Sequence, residues 1–131
     1  MAMACRDHVT DVGPKGLTGH NNSDGTGSWQ RLDRYGQYSR GASENVSYGR
    51  QSGIDVVIAL FIDDGVANRG HRKSLVNADF ECVGNFTGPH KVYTFMTTQN
   101  FAGSFTKKCD LPASDSEVNM RSIEWAGSMT V

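Results

Sequence analysis

Residues 80–101 read FECVGNFTGPHKVYTFMTTQNF and decide the class of fold. Two stretches rich in aromatic and β-branched residues, 80–87 and 92–101, are separated by a break of turn length at 88–91 (GPHK). This spacing predicts two strands joined as an antiparallel hairpin. An apolar face of such a hairpin must be covered, so helices elsewhere in the chain are expected to pack on it.

Four helices and one short extended segment are predicted before the hairpin. The helices are indicated by apolar residues at spacings of three and four, by serines that can cap a first turn and by glycines that end a last turn. Because helices both precede and follow the first extended segment, the pattern predicts an α+β fold in which helices cover an antiparallel sheet. The predicted helices are residues 2–12, 29–37, 53–64 and 71–76, and the extended segment is residues 44–48.

A stripe of five apolar side chains gives helix 53–64 the strongest core signal in the chain, and we expect this stripe to be buried. In helix 29–37 we expect Trp29 and Leu32 to be buried and Arg31 to lie on the wet side, with Asp33 and Arg34. The five residues of the stripe are Ile54, Val57, Ile58, Phe61 and Ile62.

Length and charge exclude several classes of protein. The 131 residues suffice for one domain, which we place at 1–103, with an irregular C-terminal extension at 104–131. The 13 Lys+Arg and 14 Asp+Glu residues give a net charge of −1 without a basic stripe, which argues against a nucleic-acid partner. The longest apolar run, 56–62, is far shorter than the roughly 20 residues that span a bilayer.

The cysteines show no spacing typical of a zinc knuckle or a redox dithiol. Cys5, Cys82 and Cys109 are scattered, and their odd number leaves at least one thiol unpaired within the chain. No apolar leader precedes the charges that begin at Arg6, so we expect either an intracellular protein or a processed or incomplete chain. Three N-x-[ST] sequons, at Asn21, Asn45 and Asn85, matter only in a secretory compartment.

Three residues suggest a functional site because each lies at the edge of a predicted element. His20 lies in a loop rich in Gly and Asn, Glu44 begins the extended segment, and His71 opens a short helix. Each also has an ordinary structural interpretation: an exposed loop histidine, a solvated carboxylate and a residue at a helix start. The residue types alone leave these alternatives open.

These residues lie in three motifs: GHNNSDGTGSWQRLDRYG at 19–36, ASENVSYG at 42–49 and LFIDDGVANRGHRKSLVNADFECVG at 60–84. Together with the hairpin, they resemble the CAP superfamily of SCP-like domains, which includes cysteine-rich secretory proteins, antigen 5 and pathogenesis-related 1. The resemblance is to the bacterial and protist type and covers roughly residues 5–103. It implies an α-β-α sandwich with a central antiparallel sheet, in which only the last turns of the family's longer first helix are present.

The resemblance also implies a cleft that gathers two histidines and two acids. They correspond to His20, Glu44, His71 and either Asp63 or its neighbour Asp64, where the family usually has a longer glutamate. Two imidazoles and carboxylates are ligands that zinc accepts, so this cleft could take a divalent metal held by His20, His71 and Glu44. A hydrogen-bonded polar cluster without metal is the alternative.

By this resemblance the chain is a binding domain, extracellular or in a secretory lumen, whose ligand is a lipid or sterol, a glycan or a protein. One alternative is a structural subunit of a large assembly, intracellular or organellar, in which neighbouring subunits complete the missing first helix. Another is a metal-assisted hydrolase. Since the chain has neither a G-x-S-x-G elbow nor an HExxH pair, an enzyme is the less favoured interpretation and no catalytic residue is assigned.

Overall fold

Three antiparallel strands form the centre of the computed structural model, which describes residues 1–108. Strands β1 (Gly36–Tyr48), β2 (Cys82–His90) and β3 (Thr94–Lys107) are ordered β1-β3-β2. The predicted hairpin is confirmed, but its turn lies at 91–93 rather than at 88–91. Two features explain the shift: Pro89 is tolerated on an edge strand, and His90 Nδ1 accepts the backbone N–H groups of Val92 and Tyr93, both at 3.2 Å.

Within residues 1–108, four helices flank the two faces of this sheet. Helices α1 (Ala2–Val12) and α2 (Ser28–Tyr35) pack on one face, here called the α1 face. Helices α3 (Gly53–Ile62) and α4 (Gly70–Leu75) lie by β1 on the opposite face, here called the α4 face. The α+β class and the central antiparallel sheet are therefore confirmed. The predicted helix 29–37 begins one residue earlier and ends two residues earlier.

The apolar core lies between α1 and the sheet. Val9 and Val12 of α1 pack against Val46 of β1 and Met96 of β3. Helix α1 approaches β2 closely at Gly88, where an added Cβ would stand 2.7 Å from a Val9 methyl. Because side chains alternate along a strand, even-numbered residues from Ala42 onward in β1 face α1 and the odd-numbered ones face α4.

Strand β1 is longer than the predicted extended segment 44–48. Its first half pairs with the end of β3, from Gly36 opposite Lys107 onward. A β-bulge follows, because three steps from Ser39 to Ala42 match only two steps on β3. The bulge residues Arg40 and Gly41 have φ of 57° and 84°. The pairing partners lie some 70 residues away in sequence, so local sequence carries little sign of this half-strand.

The prediction that the stripe of α3 is buried is wrong. Its five side chains are 44–68% exposed, whereas Val56 and Leu60, on the opposite side of α3, are buried. Because α3 is apolar on both sides, periodicity could not tell which side faces the protein. The buried side contacts β1 and α4, and the stripe faces outward.

Both cysteines within residues 1–108, Cys5 and Cys82, are free thiols. Cys5 is buried, donates to Gly84 O at 3.2 Å and accepts from Asn100 Nδ2 at 3.1 Å. Burial raises the pKa of this thiol to about 12, so it is unreactive at neutral pH. Cys109 and most of the predicted extension 104–131 lie outside the described residues.

Candidate functional site

A buried glutamate holds the first candidate histidine. Glu44 points from β1 into the α1 face, and its side chain is almost completely buried. Its Oε1 lies 2.9 Å from His20 Nδ1, and its Oε2 accepts from an Arg31 guanidinium nitrogen at 2.7 Å. Because a carboxylate can only accept, His20 carries a proton on Nδ1, and in the neutral ring Nε2 holds the lone pair. His20 is thus oriented by Glu44, while 54% of its side chain remains exposed.

Arg31 ties the loop that carries His20 to the sheet. One guanidinium nitrogen donates to His20 O at 2.9 Å, Asn22 Oδ1 at 3.0 Å and Thr26 O at 3.1 Å. The prediction that Arg31 is solvated is wrong, since the residue is fully buried. Its position one residue before buried Leu32 and three after buried Ser28 places it on the inner side of α2. Trp29, predicted to be buried, is 42% exposed.

His8 is a site residue that the sequence reasoning missed. It is fully buried in α1, and its Nε2 lies 3.0 Å from Gly19 O in the His20 loop. Its Nδ1 lies 2.9 Å from Asn22 Oδ1, the same oxygen that Arg31 contacts. The signal was available: His8 continues the buried stripe of α1, four residues after Ala4 and four before Val12.

The second candidate histidine is also held by a buried carboxylate. Asp63 adopts a left-handed conformation (φ 54°) directly after α3. Its Oδ1 lies 2.7 Å from His71 Nδ1, and its Oδ2 accepts the backbone N–H groups of His71 at 2.9 Å and Arg72 at 3.2 Å. Asp63 therefore orients His71 and also satisfies free N–H groups at the start of α4. Asp64, the alternative, is exposed.

The ionised form of Asp63 is stabilised by its hydrogen-bond partners. Burial alone raises the pKa of this carboxyl, but hydrogen bonds from the His71 side chain and the Arg72 amide outweigh that effect. The net pKa of Asp63 is lowered from its ordinary 3.8. The carboxylate is thus ionised throughout the physiological range, and its stabilising contribution is lost only as the pH falls below 3.8 through the lowered pKa.

The two imidazole–carboxylate pairs lie on opposite sides of edge strand β1. Glu44 serves the His20 pair on the α1 face. The next residue, Asn45, faces α4 and donates from Nδ2 to His71 O at 3.1 Å. Ser43, on the same face, bonds Ser74 of α4 at 2.5 Å. The structure therefore brings the predicted residues together as two pairs, His20 with Glu44 and His71 with Asp63. Adjacent residues of β1 contact both pairs: Glu44 belongs to the first, and Asn45 binds the backbone of the second.

Each pair has the donor chemistry of a metal-ligating or proton-accepting imidazole. A Nδ1–H bonded to a carboxylate leaves Nε2 as an oriented lone pair, an arrangement common behind zinc ligands. Within residues 1–108, neither His20 Nε2 nor His71 Nε2 has a hydrogen-bond partner. In the same range, no three His, Cys, Asp or Glu side chains are grouped so that they could hold one metal ion. Water or a ligand must supply further donors to any metal bound here.

Comparison with known proteins gives one result. A model of the CAP family, described as the cysteine-rich secretory protein family, matches residues 1–101 and so includes both pairs. No curated protein and no solved structure matches the chain. Within the part of the chain that the structure describes, no helix has the length and apolar character needed to cross a membrane.

Proposed function

The chain belongs to the cysteine-rich secretory protein (CAP) family, and from that premise we propose that it is a ligand-binding domain of the cell exterior or a secretory lumen. Its ligand, a lipid or sterol, a glycan or a protein, binds where the His20 and His71 imidazoles are exposed. The observation that carries the proposal is that both rings, 54% exposed at His20 and 30% at His71, are fixed through Nδ1 by a buried carboxylate. Fixing a surface side chain costs conformational entropy, so two such cases favour a role for the free Nε2 atoms.

A divalent metal such as zinc could bind at an imidazole of either pair, with water or a ligand supplying the donors that residues 1–108 lack there. His20 and His71 supply the imidazole nitrogens, and Glu44 and Asp63 supply the negative charge that raises their basicity. Bound zinc supplies a Lewis acid that can link the protein to an anionic or carbonyl group of a ligand. The protein's own contribution is to hold the Nδ1–H of each ring on a carboxylate, so that Nε2 is the nitrogen each ring presents to a metal.

We expect zinc to perturb two histidines and spare the other two. In a Cys82→Ser/Cys109→Ser background, which removes two competing thiols and keeps the buried Cys5, titration with zinc is followed by NMR of the imidazole nitrogens. Nε2 of His20 and His71 should shift. His8 and His90 should not, because both ring nitrogens of each are already within hydrogen-bonding distance of protein atoms. Glu44→Gln and Asp63→Asn should each weaken binding at their own histidine about 10- to 100-fold.

Calorimetry provides the second part of this test, with zinc and with a sterol sulfate as separate probes. The doubly substituted His20→Gln/His71→Gln protein is the control for both. Unchanged histidine resonances, or heats that are the same in wild type and control, would contradict binding at these imidazoles.

The exposed stripe of α3 favours a second candidate function, that of a subunit in an assembly of identical chains. Five large apolar side chains on one helix form a contiguous patch, and such patches on soluble proteins commonly mark interfaces. We expect light scattering after size exclusion to show self-association that Ile58→Glu abolishes. The matched control, Lys73→Glu, should leave it intact. A wild-type monomer at high concentration would rule this candidate out.

A further inference from the structure

The structure separates the three N-x-[ST] sequons by accessibility. Asn45 is 1% exposed, and its Nδ2 donates to His71 O between β1 and α4. A sugar on Nδ2 needs space that the packing of α4 on β1 does not leave. The folded protein is therefore incompatible with a glycan at Asn45.

The sequon at Asn21 is accessible but its other residues are engaged. Asn22 contacts His8 and Arg31 through its side-chain oxygen, and Ser23 donates to Asp11 from both its backbone nitrogen (2.6 Å) and its hydroxyl (2.7 Å). A glycan here would stand next to His20, the candidate ligand residue.

The sequon at Asn85 is accessible to solvent. Asn85 is exposed on β2, which within residues 1–108 pairs with β3 alone. Thr87, two residues on, lies on the same face and is also exposed, with its hydroxyl 2.8 Å from the Thr97 hydroxyl. Val83, the preceding residue on this face, is 63% exposed, so α3 and α4 leave this end of the α4 face uncovered.

We propose that Asn85 is an N-glycan acceptor, an inference that rests on the secretory compartment of the proposed function. Asn85 Nδ2 attacks the anomeric carbon of an oligosaccharide linked to a lipid diphosphate. The new N–C bond replaces the C–O bond to the diphosphate, the lipid diphosphate departs, and the amide proton passes to a base of the transferase. The attached glycan shields the edge of β2 that residues 1–108 leave unpaired, where a strand of another chain can otherwise add.

The test uses the full chain secreted from eukaryotic cells behind a cleavable leader. Peptide mapping by mass spectrometry, with and without an N-glycan-removing amidase, should find a glycan at Asn85 and none at Asn45 in the folded, monodisperse fraction. Asn85→Gln should remove the Asn85 glycan. Thr87→Ala should also remove it although Asn85 is intact, and the matched Thr87→Ser should retain it.

Each contrary outcome has a definite meaning. An unmodified Asn85 beside a modified Asn21, or beside a co-expressed glycoprotein that is modified normally, overturns the inference. A glycan at Asn45 in folded protein overturns the accessibility argument. The zinc titration uses unglycosylated bacterial protein, so failure of the glycan proposal and failure of the ligand-binding proposal are distinguishable.

Discussion

Replacing Arg31 by Met is expected to lower the free energy of unfolding by about 3–5 kcal/mol, because it leaves the Glu44 carboxylate buried without its cation. Arg31 is fully buried and contacts Glu44 Oε2 at 2.7 Å. The substitution also removes the donor that ties His20 O and Thr26 O to α2. Urea denaturation at neutral pH measures the loss.

Two further variants show how much of the effect of Arg31→Met comes from the unpaired buried charge and how much from lost packing. Arg34→Met lies on the same helix, but Arg34 is exposed and its contact with Asp7 is long, at 3.4 Å, so a change within about 0.5 kcal/mol is expected. In the double variant Arg31→Met/Glu44→Gln no unpaired charge remains, and part of the lost stability should return. If Arg31→Met costs no more than Arg34→Met, the buried ion pair does not hold the His20 loop.

Met96→Ala is expected to cost about 2–5 kcal/mol, the usual range for truncating a fully buried core side chain. Met96 lies on β3 beneath α1, among Val9, Val12 and Val46. Chemical denaturation gives the change, and a preserved circular dichroism spectrum shows that the variant still folds.

Ile54→Ala is the matched comparison on α3. Ile54 is 68% exposed, and alanine has the higher helix propensity, so we expect a change within about 0.5 kcal/mol at protein concentrations where the chain is monomeric. A loss for Ile54→Ala as large as that for Met96→Ala would mean that the stripe of α3 is packed after all.

The contrast between these two residues shows what the sequence can predict. The hairpin, α1 and the short helix at His71 follow from local pattern, and the three motifs single out His20, Glu44 and His71 as candidate site residues. Which side of α3 is buried does not follow from local pattern, because both of its sides are apolar. Only the contacts of Val56 and Leu60 show which side faces the protein.

The burial of Arg31 cannot be predicted from local sequence, for a related reason. An arginine with charged residues two and three positions later is usually solvated, and only the Glu44 carboxylate, 13 positions later and brought close by β1, makes its burial possible. The distribution of the candidate residues into two pairs has the same origin. It depends on which face of β1 each side chain occupies, and that is set by pairing with β3.

The bulge at Arg40 and Gly41 restricts how this strand can vary in length. Glu44 and Asn45 are neighbours that serve opposite faces, so inserting or deleting one residue between the bulge and Glu44 would turn the carboxylate toward α4 and the amide toward Arg31. A change of two residues would keep each side chain on its face but move it about 7 Å along the strand, out of reach of its partners. Relatives that keep both histidine pairs should therefore keep the number of residues between the bulge and Glu44, with insertions confined to the bulge.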